Sequence, residues 1–189
     1  MFNTTNEQDI QFLMDTAGQQ VLIDDVESVA LITNAELGEV ESRHIHTLES
    51  VPQGAYITIN EETYLNVSEN TTMRNNKYKT KVQHCNSLLP TEGETIKAII
   101  GYDKLGRPIY ETTIVPGRNY PCIVEHLSYK NAQNTAVNTI DDIIYITIQD
   151  NEKVSKSYKI NTEVNLKGTT LTIRGIDKTR TGLLIFKLT

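Results

Sequence analysis

Two histidines one residue apart, His44 and His46, are the side chains whose type and spacing best suit chemistry in this chain. On a β-strand, residues i and i+2 leave the same face, so paired imidazoles there can chelate a transition metal. Such a site needs a third ligand. His84, His126 or a carboxylate would serve, and no spacing singles one out. The commoner arrangement is a surface pair facing water or a carboxylate, and we expect no metal. Lys77, Lys79 and Lys81 form a second pattern, three cations on one strand face with Tyr78 and Thr80 on the other. They could touch phosphates, as could Lys178 and Arg180. A lysine row is equally how an edge strand is protected from aggregation, and that is the reading we favour. Cys85 follows His84 directly, but neighbouring strand residues face opposite ways, so the imidazole cannot activate the thiol. Asp24-Asp25 and Asp141-Asp142 read as turn residues. No nucleophile elbow, phosphate-binding loop or dinucleotide fingerprint is present. We expect no catalytic residue and no cofactor, and hence no enzyme.

The composition bounds the rest. The chain has 189 residues, 38% hydrophobic, with no Trp and nine Tyr. It suits one large or two small β-domains, which bury only alternate residues. The net charge of −6 argues against a surface built throughout for nucleic acid. That charge is uneven: residues 1–90 carry 5 basic and 13 acidic residues, net −8, and residues 91–189 carry 13 and 11, net +2. Cys85 and Cys122 are far apart and lack metal-site spacing, so free buried thiols are expected. The polar N-terminus does not read as a signal peptide, and no apolar run is long enough to cross a membrane.

Turning to the elements that would position these residues, one helix is expected. Asn6 can cap it, Ile10, Leu13, Met14 and Ala17 share a face, and Gly18 ends it. Strands follow. Gln20 to Ile23 and Glu27 to Thr33 flank an Asp24-Asp25 turn, and a long polar loop, Asn34 to Arg43, precedes the strand His44 to Leu48. A β-meander pattern then occurs twice. Residues 54–85 and 159–189 each read as strand, tight turn, strand, polar loop, strand. Between them, Thr95 to Tyr102 and Pro108 to Val115 make a hairpin across Asp103 to Arg107, with Gly106 at a positive φ. Tyr120 to Leu127 is a strand whose Pro121 suits an edge. Residues 129–138 read as a loop, and 139–148 as a central strand, apolar on both sides in its middle. The fold class is all-β with a short N-terminal helix. A small β-barrel over 1–88 and a linker at 89–94 lead to a β-sandwich or second barrel-like unit over 95–189.

The run from Arg43 to Leu48, the hairpin from Gly54 to Val67 and the strand leading to Asn86 resemble neck proteins of long-tailed bacteriophages of Gram-positive hosts. Those are the head-closure (stopper) and head–tail connector proteins, and the cadence returns in Thr169 to Asp177 and Gly182 to Leu188. The resemblance implies a structural virion protein, made in the host cytoplasm. It would form a homo-oligomeric ring between portal and tail, touching the portal or connector, the tail proteins and the genomic DNA in the channel, with no membrane. It also makes the polar loop, with Glu36, Gly38, Glu39, Glu41 and Arg43, the candidate segment reaching into the channel or to a neighbouring subunit. A tail or baseplate protein with a peripheral attachment domain is the second reading. A small metal-dependent enzyme using His44 and His46 is the third.

Overall fold

The alternation in the sequence builds two curled sheets and one projecting hairpin. The protein is described by a computed structural model, covering residues 7–35, 38, 40–69, 77–127 and 143–189. Helix α1 (Glu7–Ala17) leads into β1 (Gln19–Ile23), β2 (Val26–Asn34), β3 (Ser42–Thr47), β4 (Tyr56–Ile59), β5 (Glu62–Asn66) and β6 (Tyr78–His84). These six strands close an antiparallel barrel in the order β1-β2-β3-β6-β5-β4. Leu22 and Ile23 pair with Thr58 and Ile57 to make the last seam. Closure removes every free strand edge. Two tight turns set the hairpins, Asp24-Asp25 (φ 45° and 68°) and Asn60-Glu61 (φ 49° and 70°). Two successive positive-φ residues match the twist of the flanking strands, and Asp and Asn bear that conformation best among residues with a side chain. Val21, Ala30, Ile45, Ile57, Ile59, Tyr64 and Val82 fill the barrel.

The helix departs from its expected face. Met14 is buried, but Leu13, Ala17 and Phe12 are exposed. A closed barrel offers a docking helix only its outer wall, and α1 packs chiefly along β2. Gly18 makes that approach possible, because a Cβ there would lie 2.5 Å from Val29 Cγ1. The capping role read for Asn6 and the side chain of Ile10 lie outside the described residues and side chains.

The second unit contains β7 (Ser87–Pro90), β8 (Glu94–Tyr102), β9 (Pro108–Val115), β10 (Asn119–Leu127), β11 (Ile143–Gln149), α2 (Glu152–Ser157), β12 (Glu163–Leu166), β13 (Thr169–Asp177) and β14 (Leu183–Leu188). Six of these strands form one sheet, β12-β13-β14-β11-β10-β7, which curls into a nearly closed second barrel. Of the two shapes left open above, the barrel-like one forms, without full closure. Leu89, Ile146, Ile148, Ile173, Leu184, Phe186 and Leu188 are its fully buried core. Its two end strands do not pair. Tyr158 instead donates its hydroxyl to the Pro90 carbonyl, linking the segment after α2 to β7.

Three local readings change. Helix α2 was not foreseen, although its signals are in the sequence: the Asn151 side chain accepts from Val154 N at 2.9 Å, and Glu152 pairs with Lys156 at 2.7 Å. The 89–94 segment read as a linker is partly strand, with Leu89 and Pro90 in β7 and Leu89 fully buried. Strand β10 is not an edge strand, since β7 and β11 flank it. Pro121 is tolerated because it pairs with Leu88 on the β7 side, while pairing with β11 begins only at Ile123. The loop read over 129–138 lies outside the described residues.

The two barrels share a third small core of Val40, Leu65, Ile123 and Leu183. Strand alternation explains it: Tyr64 points into the first barrel and Leu65 points out, against the second. Tyr56 donates to the Pro121 carbonyl at 2.7 Å and Gln149 to Asp24 at 3.2 Å across the same junction. Two glycines bring the backbones together. A Cβ on Gly54 would lie 1.9 Å from the Gly182 carbonyl oxygen, and one on Gly182 would lie 2.1 Å from that of Gln53. Both have positive φ, 85° and 75°.

Candidate functional site

The polar residues of the first barrel gather at two places. The first is the barrel's mouth. Pairing of Asn34 with Arg43 places Arg43 inside β3, and Ala35 N donates to the Ser42 carbonyl, so the loop is shorter than its 34–43 reading. Arg43 and Glu41 then fold over the barrel end. Arg43 Nη2 lies 2.7 Å from Glu41 Oε1, and its guanidinium stands 5.0 Å over the Tyr64 ring. Tyr64, fully buried on β5, sends its hydroxyl up from the core to within 3.1 Å of Glu41 Oε1 and 3.0 Å of Glu62 Oε2. His84 meets the Tyr64 ring edge-on at 5.3 Å. A phenol has one proton to donate, so two carboxylates compete for one hydrogen bond. The Arg43 hydrogen bond holds the Glu41 carboxyl below its usual range. Burial, with the Glu62 hydrogen bond, pushes the Tyr64 phenol upward. The arrangement is therefore a charged lid over an apolar barrel, with a tyrosine that keeps its proton. Gly38 is exposed and unconstrained, and Glu36 and Glu39 lie outside the described residues.

The second place is the outer wall. Register sets His44 opposite Lys81 and His46 opposite Lys79, while the alternate residues Ile45 and Thr80 are buried inside. The histidine pair and the lysine row are thus one feature, a basic ridge along β3 and β6. Lys79 and Lys81 are exposed and Lys77 half-buried. Burial lowers the His46 pKa, and Lys77, Lys79 and His44 lower it further. Neighbouring cations oppose a bound cation and favour an anion. His84 faces the mouth and His126 lies on β10 of the other barrel, so neither third-ligand candidate joins the pair. Among the described residues, no three His, Cys, Asp or Glu side chains are placed to hold a metal ion.

The remaining reactive groups are quiet. Cys85 and Cys122 are free thiols, and burial pushes each pKa up to about 12, so neither is a thiolate at neutral pH. Near the end of β10, a cavity of about 310 Å³ opens into the second barrel among Val124, His126, Ile144, Leu166, Lys167 and Leu171. No helix among the described residues is long and apolar enough to cross a membrane.

A third surface feature carries none of the residues singled out for chemistry. Strands β8 and β9 pair only with each other. Ile96, Ile99, Ile100, Tyr102, Leu105, Ile109, Tyr110 and Ile114 are between 45% and 77% exposed. The alternation that buries side chains elsewhere here leaves them in solvent. Sequence reasoning found the hairpin but could not foresee that no second layer among the described residues covers it.

Searches of curated proteins and of solved structures find no significant match. Two family models do match, and they overlap at 77–84, over the last strand of the first barrel. The YomX N-terminal domain covers residues 1–84 and the YomX C-terminal domain residues 77–189. With both domains present and together spanning its length, the chain belongs to the YomX family, a phage-associated protein family.

Proposed function

We propose that this protein is a structural component of the phage particle at the head–tail interface, assembled as a ring between portal and tail. Its work on this reading is mechanical: it retains DNA, attaches the tail, and performs no catalytic step. The observation that carries the reading is the projecting arm of β8 and β9 on a phage-family scaffold. A rigid two-barrel body with a long apolar hairpin beside it is suited to joining proteins, because hairpin surface of that kind is stable only when covered. The charge asymmetry fits the same place. A net −8 over residues 1–90 repels DNA phosphates and suits a wall past which a genome slides. The basic ridge on the outer wall of the first barrel would then face protein neighbours, the portal or the tail.

The test is position in the intact particle. Antibody against the protein, or a tag at its C-terminus, should label purified particles at the junction of head and tail in electron micrographs. Labelling at the tail tip would replace this reading with the baseplate one. Particles without the protein would overturn both.

A further inference from the structure

The arm has two apolar faces, and this limits what can cover it. Its register pairs Thr95 with Ile114, Lys97 with Thr112 and Ile99 with Tyr110, so Ile99, Tyr110 and Ile114 share one face. Ile96, opposite Thr113, and Ile109, opposite Gly101, lie on the other. A bulge between Ile99 and Gly101 adds Ile100 to this exposed surface. A strand apolar on both faces is the pattern of one buried on both sides. The outer edges of β8 and β9 are also unpaired.

The base of the arm is held together where β7 ends and β10 begins. Thr91 N donates to the Arg118 carbonyl at 2.9 Å, and Arg118 N donates to Thr91 Oγ1 at 3.2 Å. Gly93 and Gly117 pack so closely that a Cβ on Gly117 would stand 2.1 Å from the Thr91 carbonyl oxygen. The root is pinned, and among the described residues no strand outside the arm pairs with β8 or β9.

Eight large apolar side chains of the arm are each at least 45% exposed, a grouping that marks a protein-interaction surface. The arm's charge points to the partner. Residues 94–115 hold Glu94, Asp103 and Glu111 against Lys97, Lys104 and Arg107, so the arm is neutral in a chain of net −6. An arm made for nucleic acid or for a strongly charged protein would carry the opposite charge. A neutral arm is where copies of an acidic chain can meet without repulsion.

We propose that the β8–β9 arm binds the arms of further copies of this chain, one on each side, and so closes a ring of at least three subunits. A two-fold dimer would cover one face of each arm and leave the other in water. One kind of contact that covers both sides is head-to-tail, and it generates a ring when the rotation closes. This deepens the ring reading, but the two can fail separately: the contact is tested on the purified chain, the position on the particle.

The experiment compares the full chain with the double variant Ile99→Asp/Ile114→Asp by native mass spectrometry and light scattering. A trimer or larger closed species is expected, with at least tenfold weaker association in the variant. Circular dichroism and melting of the body should be unchanged, because both sites are exposed. In a second arrangement, Lys97→Cys and Glu111→Cys in one chain should give an oxidation ladder of covalent dimers, trimers and higher species. A Lys159→Cys control on the body should give none. A wild-type chain that stays monomeric or stops at dimer, or a variant that assembles as well as wild type, would overturn the proposal.

Discussion

The β4–β5 and β8–β9 hairpins have similar local grammar and opposite fates. Both are antiparallel pairs joined by short turns, with φ values of 49° and 70° at Asn60-Glu61 and 75° at Gly106. The first has a strand on each outer edge, β1 and β6, and its inward residues Ile57, Ile59 and Tyr64 are almost wholly buried. The second has no further strand on either edge, and Ile114 within it is 75% exposed. Turn chemistry and alternation therefore make a hairpin, while burial depends on whether a second surface arrives. In the body that surface is the rest of the barrel. At the arm, the described residues supply no such surface.

The largest expected effect breaks this contrast directly. Phe186→Ala empties the centre of the second core and should lower stability by about 3–5 kcal/mol in denaturant titrations. Ile114→Ala, removing apolar atoms from the arm, should change the monomer by less than about 0.5 kcal/mol. Similar losses from both would show that the arm is packed in the isolated chain.

A smaller effect is expected where the barrels meet. Gly182→Ala puts a methyl group against the Gln53 carbonyl at a positive φ and should cost about 1–3 kcal/mol through backbone strain alone. The barrels should then melt in two steps by calorimetry, because the junction loses its closest contact. A single unshifted transition would show that the glycine crossing does not couple them.

The smallest effect lies at the mouth of the first barrel. The Glu41 carboxyl, held below its usual 4.5 by Arg43, favours the folded state above that pH. This contribution is lost as pH falls through the lowered folded value. Glu41 is half-exposed, so solvent screening limits the effect to about 1 kcal/mol or less. Glu41→Gln should therefore reduce the fall in melting temperature below pH 4.5 and leave the arm's behaviour untouched. A variant that follows the wild-type acid profile would remove Glu41 from the account.

Much of the fold was legible because β-structure writes its period into the chain. The alternation in residues 139–148 marked a central strand, found over Ile143–Gln149 among the described residues, and Asp24-Asp25 marked a hairpin turn, both from local residue type. The candidate site was less legible. His44, His46, Lys79 and Lys81 were read as two separate features because only the β3–β6 register joins them. Tyr64 at the barrel mouth went unread, since no spacing reveals that one phenol meets two carboxylates, contributed by Glu41 and Glu62. Helix α2 was missed because six residues carry too little periodicity, even with a capping Asn151.

By itself, the sequence determined the all-β class and the hairpins. These follow from local pattern and backbone preference. Only the tertiary structure decided that the first sheet closes while the second nearly does. It also decided that Gly54 and Gly182 lock the barrels together, and that the hairpin between them finds no cover among the described residues. Those outcomes depend on which distant surfaces meet. A strand records which of its faces is apolar, but not which other part of the chain, or which other molecule, will lie against it.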